Sequence, residues 1–241
     1  MTTSPHETRG TVAESDGQGS VTRRRVIGGA AAVAGVTGLG WGAVALGDVL
    51  RGNTDPVRNT ALIIGDIQRG ITSNYAFARQ VVPPLTELLP RARAAGVLVV
   101  FVHIAFRANQ ADLPPGNAMY RSFFDAGDSF HEGSAGTEID LPVTHEDVVV
   151  LKRRASAFAG TDLDLVLRAR GIDTVAISGV ATGAMVAATC YDASDRGYEV
   201  TVLRDGCADS DPAMHDFFMK TVFPSRGFEV VDCAGWHSEK R

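Results

Sequence analysis

The strongest constraint on this chain is an alternation of short, nearly uninterrupted apolar runs with segments of helical periodicity. The apolar runs are Ala61–Gly65 (ALIIG), Val97–His103, Asp147–Leu151 (DVVVL), Thr174–Ser178, Glu199–Leu203 and Phe228–Asp232. Helical patterns lie between them at Ala76–Ala95, Leu163–Arg170, Gly183–Asp195 and Ala213–Val222. Pro83-Pro84 either kinks or splits the first of these, and Gly171 ends the second. A strand that is apolar on both faces must be covered on both. The pattern predicts an α/β fold: a three-layer, doubly wound six-stranded parallel sheet with helices on both faces. Ligands of such sheets bind outside the carboxyl ends of the strands. Asp66, Lys152 and the turn Val180–Met185 follow three of the runs and are the first candidates for chemistry. Residues 105–146 break the rhythm with a long, turn-rich excursion, and one short helix is expected near Met119–Phe124. Excursions of that length in a compact domain are usually functional.

The amino-terminal part reads differently. Residues 1–22 are polar, with a composition expected to be disordered. Arg23-Arg24-Arg25 then precedes a weakly hydrophobic, Gly/Ala-rich run to about Leu46, which contains the small-x-small triplet Ala43-Val44-Ala45. Twin arginines before such a run resemble a Tat export signal. The alternative is an uncleaved membrane anchor, but many glycines and few leucines suit a signal better. The expected division is a Tat-type signal segment over 1–47, a polar linker over 48–59 and one α/β domain over 60–241. The expected location is extracellular or in the cell envelope, tethered to the membrane if the signal stays uncleaved, with the Tat machinery as an export partner.

Composition excludes some classes. A net charge of -5 over 241 residues argues against a nucleic-acid partner. The six histidines lack H-E-x-x-H spacing and the three cysteines form no C-x-x-C pair, so neither a metal site nor a cofactor is expected.

At the strand ends, each candidate has a plain alternative. Asp66 is either a reactive carboxyl in the crevice or a helix cap. Lys152 either holds a neighbouring carboxylate ionised and stabilises a developing anion, or is an ordinary solvated lysine. The Val180–Met185 turn opens a helix, whose first N–H groups favour anions, and Thr182 is placed to cap it.

Longer motifs add a family. Gly179–Ala193 (GVATGAMVAATCYDA) resembles the nucleophile turn of the isochorismatase-like hydrolases, or cysteine hydrolases, which runs G-V-x-T-x-x-C-V-x-x-T-x-x-D-A. Asp66 with Gln68 resembles the family's D-x-Q, and Lys152–Leu163 its K-x-x-x-S-A-F-x-G-T-x-L. The resemblance covers about residues 58–233. It implies an isochorismatase-like domain acting on a small-molecule substrate, commonly as a dimer or tetramer. It further implies Asp66 and Lys152 as catalytic residues, a cis peptide between Val180 and Ala181, and an oxyanion hole at that turn.

One residue departs from the pattern. Met185 stands where the family has its nucleophilic cysteine, and a thioether has no proton to lose. Cys190 lies five residues on, about 140° round a helix, and is expected to be a buried core residue. The isochorismatases proper also lack the cysteine; they cleave a vinyl ether with the aspartate as general acid. Protonating an enol ether needs a positioned acid and a water, not a thiolate. The leading expectation is a metal-independent hydrolase of a vinyl ether, or of an amide/C–N bond, with an Asp66/Lys152 pair. The alternatives are a catalytically inactive small-molecule-binding protein and an amidase using Cys190.

The run Cys207–Pro212, with His215 and Phe223-Pro224, resembles a branch of the family that carries an apolar residue at the cysteine position. Arg107 and Asn117 resemble positions kept in that branch. Arg107 is either a bidentate carboxylate binder or a surface ion-pair partner. Gln68 and Phe158 complete the candidate substrate contacts, with Tyr120, Phe123 and Phe124 as further pocket aromatics. His103 lies where some relatives carry metal ligands and is expected to be structural. Cys207 and Cys233 follow strands expected to be neighbours, and a disulfide between them is possible after export.

Overall fold

Most of the apolar runs form strands whose alternate side chains enter two different cores. The computed structural model describes residues 59–236. The segment expected to be an export signal, and the linker up to residue 58, lie outside the described residues. The strands are β1 (Thr60–Gly65), β2 (Leu98–Ile104), β3 (Val148–Lys152), β4 (Thr174–Val180), β5 (Glu199–Ala208) and β6 (Glu229–Val231). They form one six-stranded sheet in the order β3-β2-β1-β4-β5-β6. Every pairing is parallel, as the doubly wound reading requires.

The helices are α1 (Arg69–Thr72), α2 (Ala76–Arg79), α3 (Val82–Ala94), α4 (Ala118–Asp125), α5 (Leu163–Ala169), α6 (Ala187–Asp195), α7 (Pro212–Phe217) and α8 (Phe223–Ser225). Leu62, Ile64, Val99 and Phe101 share one core with Leu85, Leu88 and Leu89 of α3. Ala61, Ile63, Val100 and Val102 share the other with Leu163 and Leu167 of α5 and Cys190 and Ala193 of α6. Among the described residues no helix is long and apolar enough to cross a membrane.

The structure selects one open alternative and departs from the sequence reading at β5 and at the helix after β4. Pro83-Pro84 splits rather than kinks: both prolines sit in the first turn of α3, where a missing N–H costs nothing, and α2 ends before it. β5 runs five residues past Leu203 because pairing with β4 resumes after a register shift, with Gly179 opposite Cys207 and Val180 opposite Ala208. The polar Arg204-Asp205 step hid that continuation. The helix after β4 opens with a π-helical turn, Thr182–Val186.

The suggested disulfide is absent. Cys207 and Cys233 are both free and buried. Cys207 packs in the core of α5 and α6, whereas Cys233 packs in the core of α3, so the two thiols belong to opposite faces of the sheet. Strand adjacency in the sheet does not bring side chains on opposite faces together.

β1 and β4 are neighbours, but the chain leaves them toward opposite edges of the sheet. This is the topological switch point, where a crevice opens beyond the carboxyl ends. Asp66 follows β1 there, and Val180-Ala181 ends β4.

Candidate active site

The backbone turns sharply after β1. Asp66 has φ 61°, in the left-handed region that aspartate tolerates better than most residues. Its N–H donates to the Val102 carbonyl at 2.8 Å, which fixes the turn to β2. Asp66 caps no helix; α1 begins after Gln68 and has no side-chain cap.

Lys152 ends β3, two strands away. Its ammonium meets Asp66 Oδ2 at 2.9 Å, with side-chain exposures of 1% for the lysine and 9% for the aspartate. It also donates to the Arg154 carbonyl at 3.1 Å. The solvated-lysine alternative therefore fails. Asp66 Oδ1 is buried and has no hydrogen-bond partner. Burial pushes the Asp66 carboxyl above its ordinary value of 3.8, and the Lys152 charge and hydrogen bond offset only part of that rise.

The third component is the turn after β4. The Val180–Ala181 peptide is cis. Thr182 does not cap: its hydroxyl meets His215 Nδ1 at 2.9 Å. The Gly183 N–H, second in the turn, donates to Asp209 Oδ2 at 2.8 Å. The Ala184 and Val186 N–H groups both donate to the Ala181 carbonyl. Those N–H groups are thus already partnered within the chain. Burial holds His215 below the ordinary histidine value.

Met185 is 2% exposed. Its thioether lies directly over Gly65, where any Cβ would collide with Met185 Sδ and Cε. A glycine at the end of β1 thus makes room for a long side chain at the cysteine position.

Two segments clasp the site from behind. Ser156 Oγ donates to Asp192 Oδ2 at 2.7 Å, and the Ala157 N–H to Thr189 Oγ1 at 3.0 Å. Thr189 in turn donates to the Met185 carbonyl at 2.7 Å. The Ser-Ala-Phe segment and the Thr-x-x-Asp-Ala helix therefore form one unit that holds the loop after Lys152 against the turn carrying Met185.

These elements enclose a cavity of about 460 Å³. Asp66, Lys152, Val180, Ala181 and Met185 all line it, with Tyr120 and Phe123 of α4 on its wall. The candidate substrate contacts Gln68, Arg107, Asn117 and Phe158 do not line it. Gln68 is a buried strut: its amide donates to the Ile104, Ser129 and Gly136 carbonyls, and its Oε1 accepts from the Ile104 N–H at 2.9 Å. Arg107 turns to Asp112 at 3.2 Å. Asn117 caps α4, accepting from the Tyr120 N–H at 3.1 Å. Phe158 lies in the other core, stacked on Tyr198 with centroids 5.9 Å apart. Phe124 packs on His131. Cys190 is fully buried away from the cavity, and burial pushes its thiol far above its ordinary value. His103 is bonded through Nδ1 to the Thr137 carbonyl at 2.7 Å. Among the described residues no three His, Cys, Asp or Glu side chains converge as a metal-ligand set.

Sequence reasoning missed Asp209, Met119, Met214 and the α1–α2 residues Ile71, Tyr75 and Phe77, all of which line the cavity. Asp209 carried a signal, because it lies in the Cys207–Pro212 run just past β5. The others reach the site through tertiary folding of the excursion and rim, for which no local pattern exists.

A doubly wound parallel sheet with a buried carboxyl–lysine pair and a cis-peptide turn at its switch point defines an isochorismatase-like α/β domain. The isochorismatase domain matches residues 60–234, and the chain belongs to that family. The isochorismatase family protein YwoC of Bacillus subtilis (strain 168) is 32% identical over 177 residues, 70% of this chain and 88% of its own length. The maleamate amidohydrolase of Pseudomonas putida is 33% identical over 171 residues, 67% of this chain and 78% of its own. Among solved structures, an isochorismatase family protein from Desulfovibrio vulgaris aligns with TM-score 0.67 at 31% identity, over 73% of this chain and 95% of its own. N-carbamoylsarcosine amidase from Thermoplasma acidophilum aligns with TM-score 0.62 at 28% identity, over 75% of this chain and 99% of its own.

Proposed function

We propose that the protein is a small-molecule hydrolase in which Asp66 is the general acid and base, Lys152 is its electrostatic partner, and Met185 stands where relatives place a nucleophilic cysteine. The observation that carries this reading is the state of Asp66. One carboxyl oxygen is paired to Lys152, and the other is buried beside the cavity with no partner. Burial raises the proton affinity of this carboxyl, so it can take up a proton at that free oxygen and pass it to a substrate. Lys152 then stabilises the carboxylate left behind.

The bond cleaved is a vinyl ether, or an amide or other C–N bond. A vinyl ether needs only a proton on carbon and a water on the resulting cation, so no thiolate enters. The Gly183 N–H is held by Asp209, and this acid-led route does not draw on it. The amide reading draws on maleamate amidohydrolase and N-carbamoylsarcosine amidase, as named among the relatives. A screen of the purified full chain against vinyl ethers, amides, ureides and esters, beside Asp66→Asn and Met185→Cys, tests the proposal. Turnover by the native protein that drops at least about 100-fold in Asp66→Asn is expected. No turnover on any substrate, or turnover indifferent to Asp66→Asn, contradicts it.

A second reading is a binding protein that keeps the pocket. It is favoured by the buried Met185 side chain at the nucleophile position, and a relative from Arabidopsis thaliana is itself described as a probable inactive nicotinamidase. Amidase activity appearing only in Met185→Cys would select that reading. The export reading belongs to the same proposal and rests on Arg23–Arg25 before the Gly/Ala run. Replacing all three arginines by lysine should retain the protein in the cytoplasm; unchanged export would contradict it.

A further inference from the structure

The charge inventory of the cavity constrains what enters it. Its wall is built from apolar and aromatic side chains, chiefly Ile71, Phe77, Tyr120, Phe123, Phe130 and Met214. Among the described residues the only cationic side chain on the lining is Lys152, and Asp66 already pairs with it. Arg107, Arg153 and Arg154 are committed elsewhere. Arg107 and Arg153 both reach Asp112, and Arg153 also holds Glu132 at 2.8 Å. Arg154 donates to the Asp112 and Arg153 carbonyls and lies over the Tyr120 ring.

A second carboxylate, Asp209, also lines the cavity. Asp209 Oδ2 is fixed by the Gly183 N–H, whereas Oδ1 makes only long contacts of 3.4 Å to Ser210 Oγ and the Asp211 N–H. Asp209 therefore takes up the Gly183 N–H, one of the donors at the start of the turn, and places its carboxylate there. The rim is also apolar: Tyr75, Met119 and Met214 line the cavity and are 39%, 48% and 42% exposed.

We propose that the site takes a hydrophobic substrate bearing no anionic group, and that Asp209 is the specificity-determining residue that excludes carboxylate-bearing analogues. This rests on the hydrolase reading for the bond cleaved, but not for the ligand class. A carboxylate entering this cavity would lose its water, find no unpaired cation and face Asp209. A neutral aromatic body would displace water from aromatic walls, and a volume of about 460 Å³ suits a drug-sized molecule.

The test is calorimetric binding to the full chain of two probes of similar size, 4-phenylbutan-2-one and 3-phenylpropanoate, neither of which can be hydrolysed. The ketone should bind at least about tenfold more tightly. Asp209→Asn keeps an acceptor for the Gly183 N–H while removing the charge, and should narrow that gap by improving propanoate binding. Equal or tighter propanoate binding to the native chain, a gap unchanged in Asp209→Asn, or no binding of either probe at millimolar concentration overturns the proposal. A preference for the ketone together with an empty hydrolysis screen would retire the hydrolase reading and leave the ligand class standing.

Discussion

Asp66 and Lys152 are each isolated in the sequence, yet they form one buried ion pair, so neither can be changed without consequence for the other. Removing the cation in Lys152→Met leaves the carboxylate uncompensated, and a broken buried pair costs about 3–5 kcal/mol. Part of that loss should be recovered at acid pH, where Asp66 takes up a proton; a loss independent of pH, read by urea titration, would contradict it. In the native protein the sign is set by Asp66, whose folded value lies above 3.8. The folded chain then binds more protons than the unfolded one across the window from 3.8 up to the folded value. Stability contributed by Asp66 falls as pH rises through that window, and Asp66→Asn should remove that slope. Met185 and Gly65 form the other coupled pair at this scale. Gly65→Ala would force the thioether out of its place, an overpacking expected to cost about 1–3 kcal/mol. Combining it with Met185→Ala should cost less than the sum of the two single changes; strict additivity would show that the side chains do not meet.

At the level of elements, the β1 and β4 ends and the clasp behind them set the site's geometry. Gly179 has φ 130°, and a Cβ there would strike the Gly65 backbone carbonyl. Neither strand can yield, because Gly65 and Gly179 are register partners at the centre of the sheet. Gly179→Ala should destabilise by about 3–5 kcal/mol, measured by thermal or denaturant unfolding, whereas a loss under about 1 kcal/mol would contradict the close approach. The central strands were legible because both of their faces are buried, which leaves a continuous apolar run. The helix after β4 was legible in extent but not in its π-helical opening. The roles of Gln68 and Phe158 were not legible at all. Both lie in motifs shared with the family, yet one is a strut for the excursion and the other a core ring beneath Arg196. A motif records which residues a fold needs, and it does not separate those that touch ligand from those that hold the wall.

For the whole molecule, the two cores on either side of the sheet decide which reactive groups stay out of the chemistry. Cys190 and Cys207 lie in one core and Cys233 in the other, all three buried. A thiol reagent should label none of them in the native protein and all three in denaturant, with no mass change on reduction. Rapid native labelling at Cys190 that stops turnover would revive the cysteine amidase reading. The doubly wound order follows from parallel strands alternating with helices, and the switch point between β1 and β4 follows from that order. Asp66, Lys152 and Met185 were therefore placeable from the sequence, being tied to strand ends. The rim and Asp209 were not, since they come together only when the excursion and the β5–α7 connection fold over the same crevice.

The raised proton affinity of Asp66 in that crevice can be measured without knowing the substrate. The side-chain carboxyl carbon of Asp66 can be followed by NMR across a pH titration of the native protein, with Asp66→Asn supplying the assignment. A midpoint clearly above 3.8, rising further in Lys152→Met, is the predicted result. A midpoint at or below 3.8 would mean that the ion pair prevails over burial, and Asp66 could not be the acid proposed here.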